Sequence, residues 1–368
     1  MSNVLLAGAF GQRNPGDEAL LRAFVDALPD RTLVATSADP VATEAAYGVQ
    51  AVAARDGRAV LRALGAADGV VFAGGTVFKA LHPASGRHSL ALLHSALAVA
   101  ATTNALRRPL AMVGLGAGAL PGRRAKSLAR SIVRRADLLI LRDEESARVL
   151  AESGAPVPFR VGADAAWTTL DAPPHPTAGG DAVIVALSSL AGGPGLARRL
   201  VFVLAPVVRA GLRVRLQPWQ PPWDTQLAQS VAEGLRGEVE IVPPPADLAD
   251  ACDLFAGARV VVALRFHAIM AAAAAGVPAV AVAHEPKLAG LGRRLGFSVV
   301  PTTGPAEAVS QAILDAAERP AAAPEAIARE RDRALEGMSL MRVLLSAGRT
   351  EESAAVGGLD LAPEGWMR

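Results

Sequence analysis

The chain has 368 residues, 51% hydrophobic and 20% charged, with a formal net charge of +2 and a pI near 9.1. That length suits two domains of roughly 150 to 200 residues, and the composition suits a soluble globular protein. With neither a basic tail nor interleaved aromatics, nucleic acid is not an expected partner, and the single cysteine, Cys252, excludes an intrachain disulfide and a multi-cysteine metal site.

Short apolar runs alternate with helical patterns along the chain, the signature of parallel sheets built from βαβ units. In the first half, strands are predicted near 4–9, 32–36, 49–53, 69–73, 109–115, 138–141 and 159–161. A Pro- and Gly-rich stretch over 171–180 reads as a linker. The strand pattern restarts near 182–187, 212–217, 239–242, 260–264, 278–283 and 297–300, and a long helix is predicted over 324–347. The expected organisation is an α/β chain with an N-terminal Rossmann-like domain (1–170), a C-terminal one (181–350) and a loosely held tail (351–368). Ligands are expected at the carboxyl edges of the strands, facing a central cleft. The N-terminus enters a strand directly, so no signal peptide is expected, and the apolar run 90–101 is too short to span a bilayer. The lone Cys252 fits a reducing cytoplasm, which is the expected location.

The densest chemistry lies where the 260–264 strand delivers Arg265, Phe266 and His267 to an Ala-rich helix. A guanidinium fork and an imidazole beside helix N–H groups form an anion site with a proton donor. The next strand should run parallel, so its exit loop, His284-Glu285-Pro286-Lys287, opens on the same edge. Of the 37 Lys and Arg residues only three are lysines, Lys79, Lys126 and Lys287. Codon bias explains the excess of arginine; a lysine retained against it points to a need for a compact charge, although a plain surface cation reads nearly as well.

A second motif, GAFGQRNPGDEALL over 8–21, lacks both the GxGxxG spacing and the Walker Lys-Ser/Thr pair. Asp17 and Glu18 fall in a first helical turn, where carboxylates suit the helix dipole and repel a phosphate. The loop is therefore read either as a site for sugar hydroxyls, with Asp17 as a base, or as a Gly-rich turn with an acidic cap. Gly74, Gly75 and Thr76 allow close backbone approach to a ligand, or form a tight turn. Asp143-Glu144-Glu145 reads as a helix cap, and Asp164 as an acceptor contact or a turn residue. His82, Arg87 and His88 are candidates for a basic acceptor loop. Trp219 and Trp223 could stack on a sugar ring, and Asp224 could hold a hydroxyl.

Taken in order, GAFGQRNPGDEALL, FAGGTVF (72–78), VGLGAG (113–118), LRDEES (141–146), VGADAAW (161–167), LRFHAIMAAAAAGVPAVAV and HEPKLAGLG make the chain resemble the polysaccharide pyruvyl transferase family over most of its length. The resemblance implies a GT-B-like fold and transfer of a pyruvyl group from phosphoenolpyruvate to a pair of sugar hydroxyls as a cyclic ketal, in the making of a cell-wall or exopolysaccharide precursor such as one used in S-layer anchoring. It implies Arg142, His267 and Lys287 as phosphoenolpyruvate ligands, with Arg265 adjoining. Arg13 and Pro15 flanking Asn14, and the FAGGTVFKALHPASGRHS segment, depart from the commoner family pattern on the acceptor side.

The residues suit that chemistry. Two arginines and a lysine can neutralise a carboxylate and a phosphate. His267 is the candidate general acid, Asp17 the second catalytic residue, and Lys287 or Arg265 would stabilise departing phosphate. Asn14, Gly16, Glu18, Gly74, Gly75 and Thr76 are the candidate acceptor contacts. Beyond phosphoenolpyruvate as donor substrate, no cofactor and no metal is expected; the glycan precursor could be lipid-linked, with peripheral contact at the inner face of the membrane. Two other readings remain: a GT-B glycosyltransferase using a nucleotide sugar, for which Glu285 is the nearest ribose-binding carboxylate, and a noncatalytic sugar-binding protein.

Overall fold

Runs of Val, Ile, Leu and Ala favour strands buried on both faces, and parallel strands need helical crossovers to connect them. The computed structural model, which describes residues 2–81, 86–155, 159–170 and 180–348, realises this pattern twice. The first run comprises β1 (Asn3–Phe10), α1 (Pro15–Ala27), β2 (Thr32–Ser37), α2 (Pro40–Tyr47), β3 (Gln50–Ala53), α3 (Gly57–Ala66), β4 (Gly69–Ala73), β5 (Thr76–Phe78), α4 (Ala91–Ala105), β6 (Leu110–Ala117), α5 (Gly122–Val133), β7 (Leu138–Leu141), α6 (Glu144–Glu152) and β8 (Arg160–Val161). The second comprises β9 (Ala182–Ala186), α7 (Leu196–Arg209), β10 (Arg213–Gln217), α8 (Trp223–Gly234), β11 (Val239–Ile241), α9 (Leu248–Phe255), β12 (Val260–Ala263), α10 (Phe266–Ala274), β13 (Ala279–Ala283), α11 (Pro286–Arg294), β14 (Ser298–Pro301) and α12 (Ala306–Ala316), followed by α13 (Pro324–Ala347).

All strand pairings are parallel. The first sheet runs β3-β2-β1-β4-β6-β7-β8 with β5 paired to β6, and the second runs β11-β10-β9-β12-β13-β14. Both orders reverse beside their first strand, at β1/β4 and at β9/β12, and the crevice outside the carboxyl ends at such a reversal is where doubly wound sheets take ligands. The central strands β4, β6, β7, β9 and β12 are buried throughout. Removing each such Val, Leu or Ile side chain from water is worth about 1.5–3 kcal/mol.

The chain divides into two compact units whose limits differ from the expected ones. The first falls within Met1–Gln12, Leu20–Ala165 and Arg333–Arg368; the second takes Arg13–Ala19 and Ala166–Asp332. Two corrections follow: the 13–19 loop belongs with the second unit, and the last helix does not end the C-terminal domain but crosses into the first. The reason lies in the α13 side chains. Ala334, Met338, Met341 and Leu345 recur at helical spacing and are buried. Gly69 leaves room for Leu345, and Gly337 lies against Val113 and Ile140. Earlier in the same helix, Glu330 takes both Nε and Nη2 of Arg294, at 2.8 and 3.2 Å, inside the second unit. Most of the linker at 171–180 and the tail at 351–368 lie outside the described residues.

Candidate functional site

In the second unit Arg265 leaves β12 beside β9, at the strand-order reversal. It is the extended N-cap residue of α10, and its Nε donates to the Leu187 carbonyl at the exit of β9, at 3.0 Å. Its Nη2 pairs with Asp224 in the first turn of α8. Asp224 is fully buried and also accepts N–H bonds from Ser189 (2.8 Å), Gln220 (2.9 Å) and Trp219 (3.2 Å). A carboxylate so enclosed holds no sugar hydroxyl, which corrects that expectation. Trp219 is 1% exposed and bonds Gln217 through its indole N–H, so it offers no stacking face; Trp223, 60% exposed, does.

His267 is the second residue of α10, in its first turn, half-buried, its ring edge-on to Phe266. Above it lies the 13–19 segment: a β-carbon on Gly16 would stand 1.9 Å from His267 Nδ1. The loop is braced internally, with Asn14 Nδ2 donating to Asp17 at 2.8 Å, Gly16 N–H to Asn14 Oδ1 at 3.2 Å and Glu18 N–H to the Asn14 carbonyl at 3.0 Å. Gly16 thus makes space for the imidazole.

At the exit of the neighbouring strand β13, Lys287 stands in the first turn of α11, largely buried and paired with Glu285. The helix dipole disfavours a cation there, so helix stability does not explain its position. His284, one residue beyond β13, has its pKa lowered from 6.5, chiefly by burial and further by Lys287 and Arg265, with Glu285 opposing. The imidazole is therefore neutral at neutral pH and close enough to both cations to feel their charge. Its Nδ1 is buried and makes no hydrogen bond among the described residues. The sequence places His284 in the exit loop without a role of its own; its position at a strand exit between Arg265 and Lys287 is the signal for one.

Arg142 belongs to the first unit. Its guanidinium is 2% exposed and meets Asp143 at 3.1 Å, Asp164 at 3.5 Å and Thr76 Oγ1 at 2.9 Å. Gly116 is the floor beneath it, since a β-carbon there would come within 2.5 Å of Nη2. Asp143 also caps α6, accepting from the Ser146 N–H at 2.7 Å, as a cap should. Thr76 and Asp164 are thus partners of Arg142. Gly74 and Gly75 both take positive φ (70° and 76°); Gly74 lies against Leu20, and Gly75 accepts from the Gly116 N–H at 2.8 Å. Arg142, Gly74, Gly75 and Thr76 therefore group in one unit, and Asn14, Gly16, Asp17, Arg265, His267 and Lys287 in the other. His82 lies outside the described residues, and His88 accepts from the Leu90 N–H.

Burial raises the Cys252 thiol to about 12, which removes it as a nucleophile. Among the described residues no group of three or more His, Cys, Asp or Glu is placed to hold a metal ion. Nor is any described helix long and apolar enough to cross a membrane.

Two doubly wound parallel sheets, each with its candidate residues at the carboxyl ends of the strands, define a GT-B-fold α/β protein. Solved structures agree: the chain superposes on a putative UDP-N-acetylglucosamine 2-epimerase of Listeria monocytogenes (TM-score 0.60, 11% identity, 94% of this chain and 96% of that one). It also superposes on Anabaena HepE in complex with UDP and glucose (0.61, 14%, 94% and 100%) and on S. aureus MnaA with UDP (0.62, 12%, 94% and 96%). No curated protein matches the chain. The profile of polysaccharide pyruvyl transferases matches residues 14–286, and the chain belongs to that family.

Proposed function

We propose that the protein transfers the pyruvyl group of phosphoenolpyruvate to two hydroxyls of a sugar in a cell-wall or exopolysaccharide precursor, forming a cyclic ketal. The observation that carries this reading is the grouping in the second unit: Arg265 and Lys287 follow adjacent parallel strands, His284 feels the charge of both, and His267 stands in the first turn of the helix that Arg265 caps. Two cations of different shape suit a donor with a planar carboxylate and a phosphate: the Arg265 fork for the carboxylate, the Lys287 ammonium for the phosphate.

In this mechanism His267 gives a proton to the methylene carbon, which becomes the methyl group and leaves C2 electrophilic. The first sugar hydroxyl adds to C2, the C2–O bond to phosphate breaks, and the second hydroxyl closes the ring. Of the two hydroxyl protons released, one replaces the proton given to carbon and the other leaves with phosphate. Asp17, braced by Asn14 over the same helix start as His267, is the base for a hydroxyl. Asn14 and Glu18 are its neighbours on the acceptor side. Arg142, Gly74, Gly75 and Thr76 enter this account as a second cluster with its own carboxylate partners, so the main donor contacts fall to Arg265 and Lys287. Enclosure of Arg142 by Asp143 and Asp164 favours that division.

The acceptor is proposed to be a glycan precursor, lipid-linked and met at the inner face of the membrane, with S-layer anchoring among its uses. The test is incubation of purified protein with phosphoenolpyruvate and a panel of vicinal and 4,6-diol sugars. A ketal methyl signal by NMR, with equimolar phosphate release, supports the reading. Phosphate release with no ketal, or no turnover on any acceptor alongside transfer from a UDP-sugar, contradicts it.

A further inference from the structure

We infer that Asp224 is the positioning residue for the donor carboxylate and acts through Arg265. This rests on the donor assignment above. Its carboxylate gathers the loops leaving three neighbouring strands: Ser189 after β9, Trp219 and Gln220 after β10, and Arg265 after β12. All of its bonds lie inside the protein, and it is 0% exposed. Leaving would strand three N–H donors and a guanidinium, so the carboxylate stays. Arg265 is fixed on one edge, Nε on the Leu187 carbonyl and Nη2 on Asp224. The Nη1 end makes no hydrogen bond among the described residues and is left for a ligand.

That division gives the guanidinium a defined plane before any donor arrives. A fork held in plane loses little freedom on meeting a carboxylate, so more of the interaction appears as affinity. Lys287 offers a contrast, because its partner Glu285 is 42% exposed and can turn into solvent, whereas Asp224 cannot. Arg265 therefore carries a permanent counterion and Lys287 an exchangeable one. The permanent counterion sets geometry, and the cost is part of the charge available to the donor.

The test is a double-mutant cycle on phosphoenolpyruvate affinity by calorimetry, using the full chain with Asp224→Asn, Arg265→Ala and the pair. The positioning role predicts that Asp224→Asn weakens phosphoenolpyruvate about tenfold or more, weakens inorganic phosphate much less, and has an effect of about twofold or less once Arg265 is alanine. Equal losses in the two backgrounds, in a protein that does bind phosphoenolpyruvate, overturn the role of Asp224 alone. No binding by the wild type overturns the donor assignment and this inference with it. An Asp224→Asn chain that does not fold leaves a measurement on the wild type: the Arg265 Nε proton, assigned by its loss in Arg265→Lys, should exchange slowly without ligand and shift on adding phosphoenolpyruvate. Fast exchange in the unliganded protein would overturn pre-positioning.

Discussion

Gly16 lies against His267 so closely that a β-carbon at residue 16 would stand 1.9 Å from Nδ1 and 2.3 Å from Cγ. No rotation of a methyl group relieves such contacts, and real β-carbons do not approach below about 3.0 Å, so Gly16→Ala must displace the ring or the loop. A displacement of about an ångström in a reacting group costs on the order of a hundredfold in rate. Gly16→Ala should therefore lower kcat at least about tenfold within that bound, with little change in melting temperature because the loop is held by Asn14 and Asp17. Turnover within about twofold of wild type would mean that His267 is not the acid.

Lys287→Arg separates charge from shape. A surface cation would tolerate the change in a chain with so many arginines. Lys287 is instead 18% exposed and shares its surroundings with Glu285 and His284. A planar head in that space should misplace the charge and reduce turnover about tenfold or more. Steady-state kinetics and a melting curve check this together, and wild-type kinetics would remove Lys287 from the donor site.

His284 links the site to pH. Its folded pKa lies below the ordinary 6.5, so in the window between the two the unfolded chain binds more protons than the native one. The neutral ring thus contributes stability that is present above 6.5 and lost as pH falls through the lowered folded value. His284→Asn should flatten the acid-side fall in unfolding free energy across that window relative to wild type. Parallel stability profiles for the two proteins would show that His284 does not titrate there.

Arg142 provides the opposite test, of stability before catalysis. Removing one member of a buried ion pair leaves an uncompensated charge and costs about 3–5 kcal/mol. Arg142→Gln strands Asp143 and Asp164 inside the first unit and should lower unfolding free energy by that order. Denaturant melts check it. A variant of wild-type stability with weakened phosphoenolpyruvate binding would make Arg142 a donor ligand, as the family resemblance implies.

Much of this fold was legible because its signals are local. Strands such as Gly69–Ala73 and Leu138–Leu141 are uninterrupted apolar runs, and Pro324–Ala347 keeps helical spacing throughout. The three-residue strand Thr76–Phe78 is too short for a period to show and was not predicted. Unit membership was less legible: nothing within 324–347 marks residue 333 as a crossing point, because the stripe continues from Ile327 to Leu345 and only the surfaces it meets change. At the site, Arg265, His267 and Lys287 announced themselves by residue type at strand exits. Asp224 did not, because its role depends on N–H groups and a guanidinium brought from 4 to 41 residues away. Gly16 reads in the sequence as an acceptor contact or a turn residue, and the imidazole beneath it gives a packing reason for a glycine there.

Phosphoenolpyruvate is the proposed ligand of the Arg265, His267 and Lys287 cluster. The most direct test of that assignment is ligand-induced thermal stabilisation of the wild-type protein, with phosphoenolpyruvate, inorganic phosphate and a UDP-sugar at equal concentrations. A ligand at a hundred times its Kd adds about 2.7 kcal/mol to unfolding free energy. Phosphoenolpyruvate should raise the melting temperature well above either other ligand, and Lys287→Ala should remove the gain. A UDP-sugar that stabilises strongly while phosphoenolpyruvate does no better than phosphate would contradict the assignment.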